Sequence, residues 1–297
     1  MSFSTQVKAE LCRAPLTKKC CAQAEAYGVL LYCSLSTASE VRITTESPEF
    51  ADRLPHLFQK AFQVRFDRLP AEGAGKRIFS ITDRDKLSAL WAVYGHDPTE
   101  ALAHHINFAV LEEDHCRASF LRGAFLAGGS VTDPAKRYHL ELATSHLSVS
   151  RELHALLLEM GFSPKESSRK SNAITYFKQS NAIEDFLTAM GAPLAAMELM
   201  NAKAEKDLRG SINRRVNCDA ANLDKAVDAA QGQIEAIYKL EERGMLADLP
   251  DKLKEAVDLR MAHPELTLSQ LAELCDPPVS KSAFNHRLRK LMELSRS

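Results

Sequence analysis

The first two hundred residues carry one pattern twice, and this duplication restricts the fold more than any single motif does. A small-residue apolar helix around Ala26-Tyr-Gly-Val-Leu-Leu-Tyr-Cys-Ser-Leu-Ser precedes an alternating strand, Val41-Arg-Ile-Thr-Thr. A helix from Phe50 to Phe62, strands at Val64–Arg68 and Arg77–Thr82, and a helix from Lys86 to Tyr94 ended by Gly95 complete the first copy. Around Phe120-Leu-Arg-Gly-Ala-Phe-Leu-Ala-Gly-Gly-Ser the series restarts. It continues with a strand at Tyr138–Ala143, a helix at Val149–Met160 stopped by Gly161, strands near Lys165–Lys170 and Ile174–Lys178, and a helix at Ile183–Met190 ended by Gly191. Two copies of an α-β-β-α-β-β-α-like unit are expected, spanning about 20–95 and 115–191. Tandem copies tend to pack about a pseudo-twofold axis. Gly28 with Ser34, and Gly123 with Gly128-Gly129, mark the helices that would approach closely there.

At 297 residues the chain suits two or three domains. A hydrophobic content of 45% with 12 Gly and 12 Pro is that of a folded protein rather than a disordered one. No apolar run reaches the length of a membrane span, and the opening Met1-Ser-Phe-Ser-Thr-Gln-Val-Lys-Ala-Glu-Leu-Cys-Arg is amphipathic without a signal-peptide core, so a cytoplasmic location is expected. The seven cysteines are odd in number, scattered and never spaced C-x-x-C, which argues against a disulfide framework and a zinc ribbon. Cys20-Cys21 with Cys12, and His104-His105 with His115 and Cys116, are metal-ligand residue types. Their helical or loop context gives no ligand geometry, and they read as structural.

The last thirty residues form a second domain signal. Thr267 with Gln270 makes a capping box that opens a short helix, Pro277-Pro278 stops it, and Ser280 is placed to cap a second helix. Two short helices across a tight turn make a helix-turn-helix, the shape that enters a DNA major groove. Phe284, Leu288 and Leu291 form the buried stripe of the second helix. Ser282, His286, Arg289 and Lys290 turn outward, with Asn285 and Arg287 at the margins. Pro277–Ser297 holds five Lys/Arg against one Glu, a net +4, whereas Asp219–Asp276 holds six against thirteen Asp/Glu, a net −7. The whole-chain charge of −1 does not suggest nucleic acid, but this segregation does.

Between the two signals, Pro193 opens a helix through Ala204. Lys203–Arg215 carries five cations (Lys203, Lys206, Arg209, Arg214, Arg215) against Glu205 and Asp207. That balance suits a basic linker lying along phosphate, or a solvated hinge. Asp219 is expected to cap a helix with Leu223, Val227, Ala230, Ile234 and Ile237 in register. Leu249–Met261 is expected to add another with Leu253, Val257 and Met261 facing inward.

The duplicated half resembles the LAGLIDADG homing endonucleases, whose paired motif helices lie at a dyad under a β-saddle that holds DNA. Leu121-Arg-Gly-Ala-Phe-Leu-Ala-Gly-Gly matches the motif's leucine, first glycine, alanine and last glycine, but the metal-binding acid position falls on Gly128, and on Cys33 in the first copy. Neither residue serves Mg²⁺. Asp133 falls beyond the helix end. Strand cations such as Arg42, Arg65, Arg68, Lys165, Arg169 and Lys170 could line the saddle for phosphate or serve as edge protection.

The whole chain resembles the WhiA family of bacterial regulators, a degenerate LAGLIDADG domain joined to a helix-turn-helix. Four strings carry the resemblance: Ser2-Phe-Ser with Val7-Lys-Ala-Glu-Leu; Phe120-Leu-Arg-Gly-Ala-Phe-Leu-Ala-Gly-Gly-Ser-Val; Asn213-Arg-Arg-Val-Asn-Cys-Asp-Ala-Ala-Asn-Leu; and Ser280-Lys-Ser-Ala-Phe-Asn-His-Arg-Leu-Arg-Lys-Leu. The resemblance implies a DNA-binding transcription factor tied to cell division, chromosome segregation and, in spore-formers, sporulation.

The expected fold class is thus α+β: a duplicated LAGLIDADG-like α/β saddle over 1–194, a basic helical linker over 195–218, and an all-α helix-turn-helix domain over 219–297. Double-stranded DNA is the expected partner, at the nucleoid. Lys281, Ser282, Asn285, His286, Arg287, Arg289, Lys290, Lys203, Arg214 and Arg215 are the candidate contacts. No catalytic residue, metal or cofactor is assigned. Another regulator or the transcription machinery is a further candidate partner, and the competing readings are an active homing-type endonuclease and a scaffold whose saddle binds a protein or small-molecule effector.

Overall fold

The computed structural model describes residues 2–71, 75–96 and 104–296. The chain divides into two compact units, Met1–Asp207 and Leu208–Ser297. The first unit opens with α1 (Phe3–Cys12), whose Ser2 cap accepts a hydrogen bond from the Thr5 amide at 3.2 Å and which buries Phe3, Val7 and Leu11. The first copy follows as α2 (Lys19–Tyr32), β1 (Leu35–Ser36), β2 (Val41–Thr45), α3 (Pro48–Phe62), β3 (Arg77–Ile81) and α4 (Arg84–Ala92). After a 3-10 turn at Phe108–Leu111, the second copy runs α5 (Asp114–Gly128), β4 (Gly129–Val131), β5 (Leu140–Thr144), α6 (Leu147–Glu159), β6 (Lys165–Arg169), β7 (Asn172–Phe177) and α7 (Ser180–Met190).

The strand orders show the duplication directly. The first sheet is β1-β2-β3 and the second β4-β5-β7-β6, all antiparallel. The expected strand at Val64–Arg68 is not formed as one. Its place beside β3 is held by a single bridge between Arg68 and Ser80. That segment buries Val64 and Phe66 on one side, so side-chain alternation is present, but ladder pairing is limited to this contact.

The two copies meet through α2 and α5, which run side by side in the same direction. A Cβ added at Gly28 would lie 2.2 Å from the Phe120 carbonyl oxygen, and one at Gly123 would lie 1.9 Å from that of Glu25. No side chain fits at either position, which is why two backbones can touch there. The same interface buries a charge cluster. The Arg53 guanidinium donates to both oxygens of Glu25, at 2.5 and 2.9 Å, and Arg122 donates to Glu25 at 3.3 Å. Arg53 also donates to the Cys12 and Ala14 carbonyls, and Arg122 to that of Met190, so both guanidiniums are held by backbone carbonyls as well as by Glu25. Met190 is the last residue of α7, where Gly191 closes the helix in the left-handed region at φ 93°.

Beyond the second copy the structure departs from the expected boundaries. One helix, α8, runs unbroken from Pro193 to Glu242, 50 residues, so neither a stop at Ala204 nor a cap at Asp219 exists. The run is rich in Ala, Leu, Lys, Glu and Arg and contains no internal Pro; Gly210 and Gly232 each cost only about 1 kcal/mol of propensity. The division between units falls between Asp207 and Leu208, inside the stretch expected as a linker over 195–218. Three helices follow: α9 (Asp251–Ala262), α10 (Leu268–Glu273) and α11 (Lys281–Leu294). Their core joins Ile237, Leu240, Val257, Leu271, Phe284, Leu288 and Leu291. Leu223 and Val227, expected to face inward, are exposed on α8; with Ile234, Tyr238 and Leu266 they border an apolar groove of about 590 Å³.

Candidate nucleic-acid interface

The terminal helix pair is built as its sequence demands. Thr267 and Gln270 form the reciprocal capping box, the Gln270 amide donating to Thr267 Oγ1 at 3.4 Å and the Thr267 amide to Gln270 Oε1 at 3.0 Å. The Val279 amide donates to the Ala272 carbonyl at 2.9 Å and closes the turn. Ser280 Oγ then accepts from the Ala283 amide at 3.2 Å and starts α11. Phe284, Leu288 and Leu291 are buried, which anchors one face of the helix. Lys281, Ser282, His286, Arg289 and Lys290 are exposed, with Asn285 half-buried at the margin. Lys290 lies 3.7 Å from Glu293 in an exposed pair that water screens strongly.

Arg287, one of the candidate DNA contacts, is engaged within the protein. It sits one turn after Phe284 and just before Leu288, on the edge of the buried stripe. From there its guanidinium reaches back to Glu255 on α9 at 2.6 Å and to the Cys275 sulfur at 3.8 Å. Glu255 also accepts the Asp276 amide at 2.9 Å, and that bond together with Arg287 holds its carboxyl below the usual range. The trio ties α9, the turn and α11 into one body. Buried Arg260, by donating to the Leu266 carbonyl at 2.9 Å, fixes the loop that enters α10. Neither role has a local sequence signal, because each partner is supplied by another element.

The other basic candidates separate. Lys203 belongs to the first unit, where its ammonium contacts the Asn181 side chain and stands 3.9 Å from Glu184, so α7 already occupies it. Arg214 and Arg215 belong to the second unit and are exposed on α8. Of the saddle cations, Arg42 pairs with Glu40 and Arg169 with Glu141, both at 2.7 Å, which offsets their charge locally.

At the carboxyl ends of α2 and α5, the Cys33 thiol donates to the Leu35 and Leu30 carbonyls at 3.1 and 3.4 Å, and burial pushes it up to about 12. A Cβ on Gly128 would stand 2.5 Å from the Ala143 carbonyl oxygen. Asp133 accepts the Ala135 amide at 2.8 Å in its own turn. Neither motif position therefore offers a carboxylate, and one has no space for it. At the opposite ends of the same helices the expectation about cysteines is corrected. Cys20, Cys21, His115 and Cys116 converge, with all four ligand atoms within 4.8 Å of one another, while Cys12, His104 and His105 are not in the group. Long-range packing of two helices, absent from local spacing, creates this geometry.

Comparison with known proteins bears on both units. The family model described as the WhiA C-terminal HTH domain matches residues 212–295, and that described as the WhiA LAGLIDADG-like domain matches 117–209. The chain is 36% identical to the "Probable cell division protein WhiA" of Ruminiclostridium cellulolyticum over 99% of its length and 97% of that protein. It is 33% identical to the protein of the same description from Alkaliphilus metalliredigens, covering 99% and 98% of the two chains. In fold it is similar to the crystal structure of full-length DUF199/WhiA from Thermatoga maritima, with a TM-score of 0.61 at 22% identity over 100% of this chain and 98% of that one. The separate structure of the N-terminal LAGLIDADG domain of DUF199/WhiA aligns over 64% of this chain and 90% of its own, with a TM-score of 0.50 at 19% identity.

Proposed function

Because the chain belongs to the WhiA family, we propose that it is a sequence-specific regulator of cell division that binds double-stranded DNA through α11. The observation that carries this reading is the outward face of α11. Lys281, Ser282, His286, Arg289 and Lys290 stand in solvent on a helix whose opposite face is clamped by Phe284, Leu288 and Leu291. A rigid helix that presents hydrogen-bond donors and positive charge is what major-groove reading needs. Arg289 and His286 are assigned to base edges; Lys290, Arg214 and Arg215 are assigned to phosphates. Lys203 is left out of the phosphate contacts and Arg287 out of the DNA-contacting set, since Asn181 and Glu184 engage the first and Glu255 and the Cys275 sulfur the second. By the family resemblance the regulation extends to chromosome segregation and, in spore-formers, sporulation. Work at the nucleoid follows from DNA as the partner.

The LAGLIDADG-like unit is assigned no nuclease role. Phosphodiester hydrolysis with hard divalent ions needs carboxylates at the dyad, and Cys33 and Gly128 supply none. Mapping bound DNA across the genome and titrating a mapped site against a scrambled duplex tests the reading. The proposal expects a preference of about 10³-fold or more at physiological salt, and no Mg²⁺- or Mn²⁺-dependent cleavage. Equal affinity for both duplexes, or EDTA-sensitive cutting, contradicts it.

A further inference from the structure

The residues around the amino-terminal ends of α2 and α5 form a cluster that the DNA-binding reading leaves unused. Cys20 and Cys21 sit in the first turn of α2, and His115 and Cys116 in the first turn of α5. The two dipeptides occupy matching places in the duplication: residues 20 and 21 precede Gly28 at the same spacing by which 115 and 116 precede Gly123. The pseudo-dyad that brings the glycines together therefore brings the dipeptides together, three thiols and one imidazole.

The distances fit a tetrahedral centre. His115 Nδ1 lies 3.5 Å from Cys21 Sγ and 3.2 Å from Cys116 Sγ, and all four ligand atoms fall within 4.8 Å of one another. A tetrahedral zinc ion with Zn–S of about 2.3 Å and Zn–N of about 2.0 Å spaces its ligands by roughly 3.5–3.8 Å. The donor set is the soft sulfur and imidazole type that favours zinc over magnesium or calcium. The helix starts add to the fit. Lys18 and Glu113, at the two N-cap positions, make no side-chain capping bond, so no cap closes either helix start beside the cluster.

We propose that Cys20, Cys21, His115 and Cys116 bind one zinc ion, a closed structural site that staples the two central helices across the pseudo-dyad. Four protein ligands leave no position for water or substrate, so the site supports the fold rather than catalysis. On binding, the three thiols lose their protons to solvent and coordinate as thiolates, His115 coordinating through Nδ1 as the neutral imidazole. The same helix pair then carries its metal chemistry at the end opposite to Cys33 and Gly128.

The test uses the full chain, expressed with zinc and purified under reducing conditions without chelator. Elemental analysis and native mass spectrometry should find one zinc per chain. Removing the metal and titrating with cobalt(II) should give the visible bands of tetrahedral cobalt and a thiolate-to-cobalt charge-transfer band, readouts that a merely packed cysteine cluster cannot produce. Cys20→Ser and His115→Gln, at the more accessible ligands, should each weaken zinc binding by about 100-fold or more, since losing a ligand costs at least what losing its orienting partner does. Cys218→Ser, in the other unit, should leave the stoichiometry at one. Circular dichroism of each variant separates lost metal from lost fold. Less than a tenth of an equivalent of zinc in the folded parent chain, with no cobalt spectrum after reduction, would overturn the proposal. A disulfide joining Cys116 to Cys20 or Cys21 in cells lysed directly into alkylating agent would overturn it as well.

Discussion

The carboxyl ends of α2 and α5 and the outward face of α11 are the two places where helices of this chain invite comparison with DNA-handling surfaces, and the sequence equips them in opposite ways. At the first, Gly28 and Gly123 let two backbones touch, but the acid positions hold a thiol bonded to carbonyls and a glycine with no room for a side chain. At the second, Phe284, Leu288 and Leu291 pack one face of the helix, and the exposed residues are Lys281, Ser282, His286, Arg289 and Lys290. The difference separates two meanings of a motif. Glycines required by packing certify the fold, because any Cβ would collide; acids required by chemistry certify an activity, and they can be absent without disturbing the fold.

The largest expected effect tests the packing side. Glu25→Ala leaves the guanidiniums of Arg53 and Arg122 beside a buried void and should destabilise the first unit by about 3–5 kcal/mol, while the second unit melts unchanged. Chemical denaturation followed by probes in each unit checks this, and an equal loss in both would join what the comparison separates. Arg289→Ala should weaken binding to the cognate site by about 1–3 kcal/mol and relax sequence preference, with thermal stability unchanged. Its neighbour sharpens the contrast. Arg287→Ala should lower the stability of the second unit, because it releases Glu255, and affect DNA only through that loss. A variant at Arg287 that folds as stably as the parent yet loses sequence preference would put that residue back in the groove. The smallest effect belongs to Arg215→Ala, which should weaken all duplexes nearly alike and lower the slope of log affinity against log salt by about one.

Much of the fold was legible in the sequence for identifiable reasons. The repeated glycines located the helix pair, the alternation at Val41–Thr45 and the glycine at 191 located a strand and a helix end, and the caps at Thr267 and Ser280 located the terminal helices. Each of these is a local requirement of backbone geometry. What escaped depends on residues distant in sequence. Glu25, Arg53 and Arg122 assemble only when α2, α3 and α5 pack; Arg287 finds Glu255 only when α9 and α11 do; and Cys20, Cys21, His115 and Cys116 converge only across the dyad. The continuity of α8 escaped for the opposite reason. Asp219 is an effective cap where a helix begins, but its surroundings favour helix on both sides, so nothing forces a start there.

Gel-shift titration of residues 208–297, residues 1–207 and the full chain on one mapped site decides whether the second unit, and not the first, reads DNA. Residues 208–297 should bind that site with the sequence preference intact, more weakly than the full chain, and residues 1–207 should bind it no better than a scrambled duplex. Binding of the site by 1–207 as tightly as by the intact protein would contradict this, making the duplicated unit the reader and α11 an accessory.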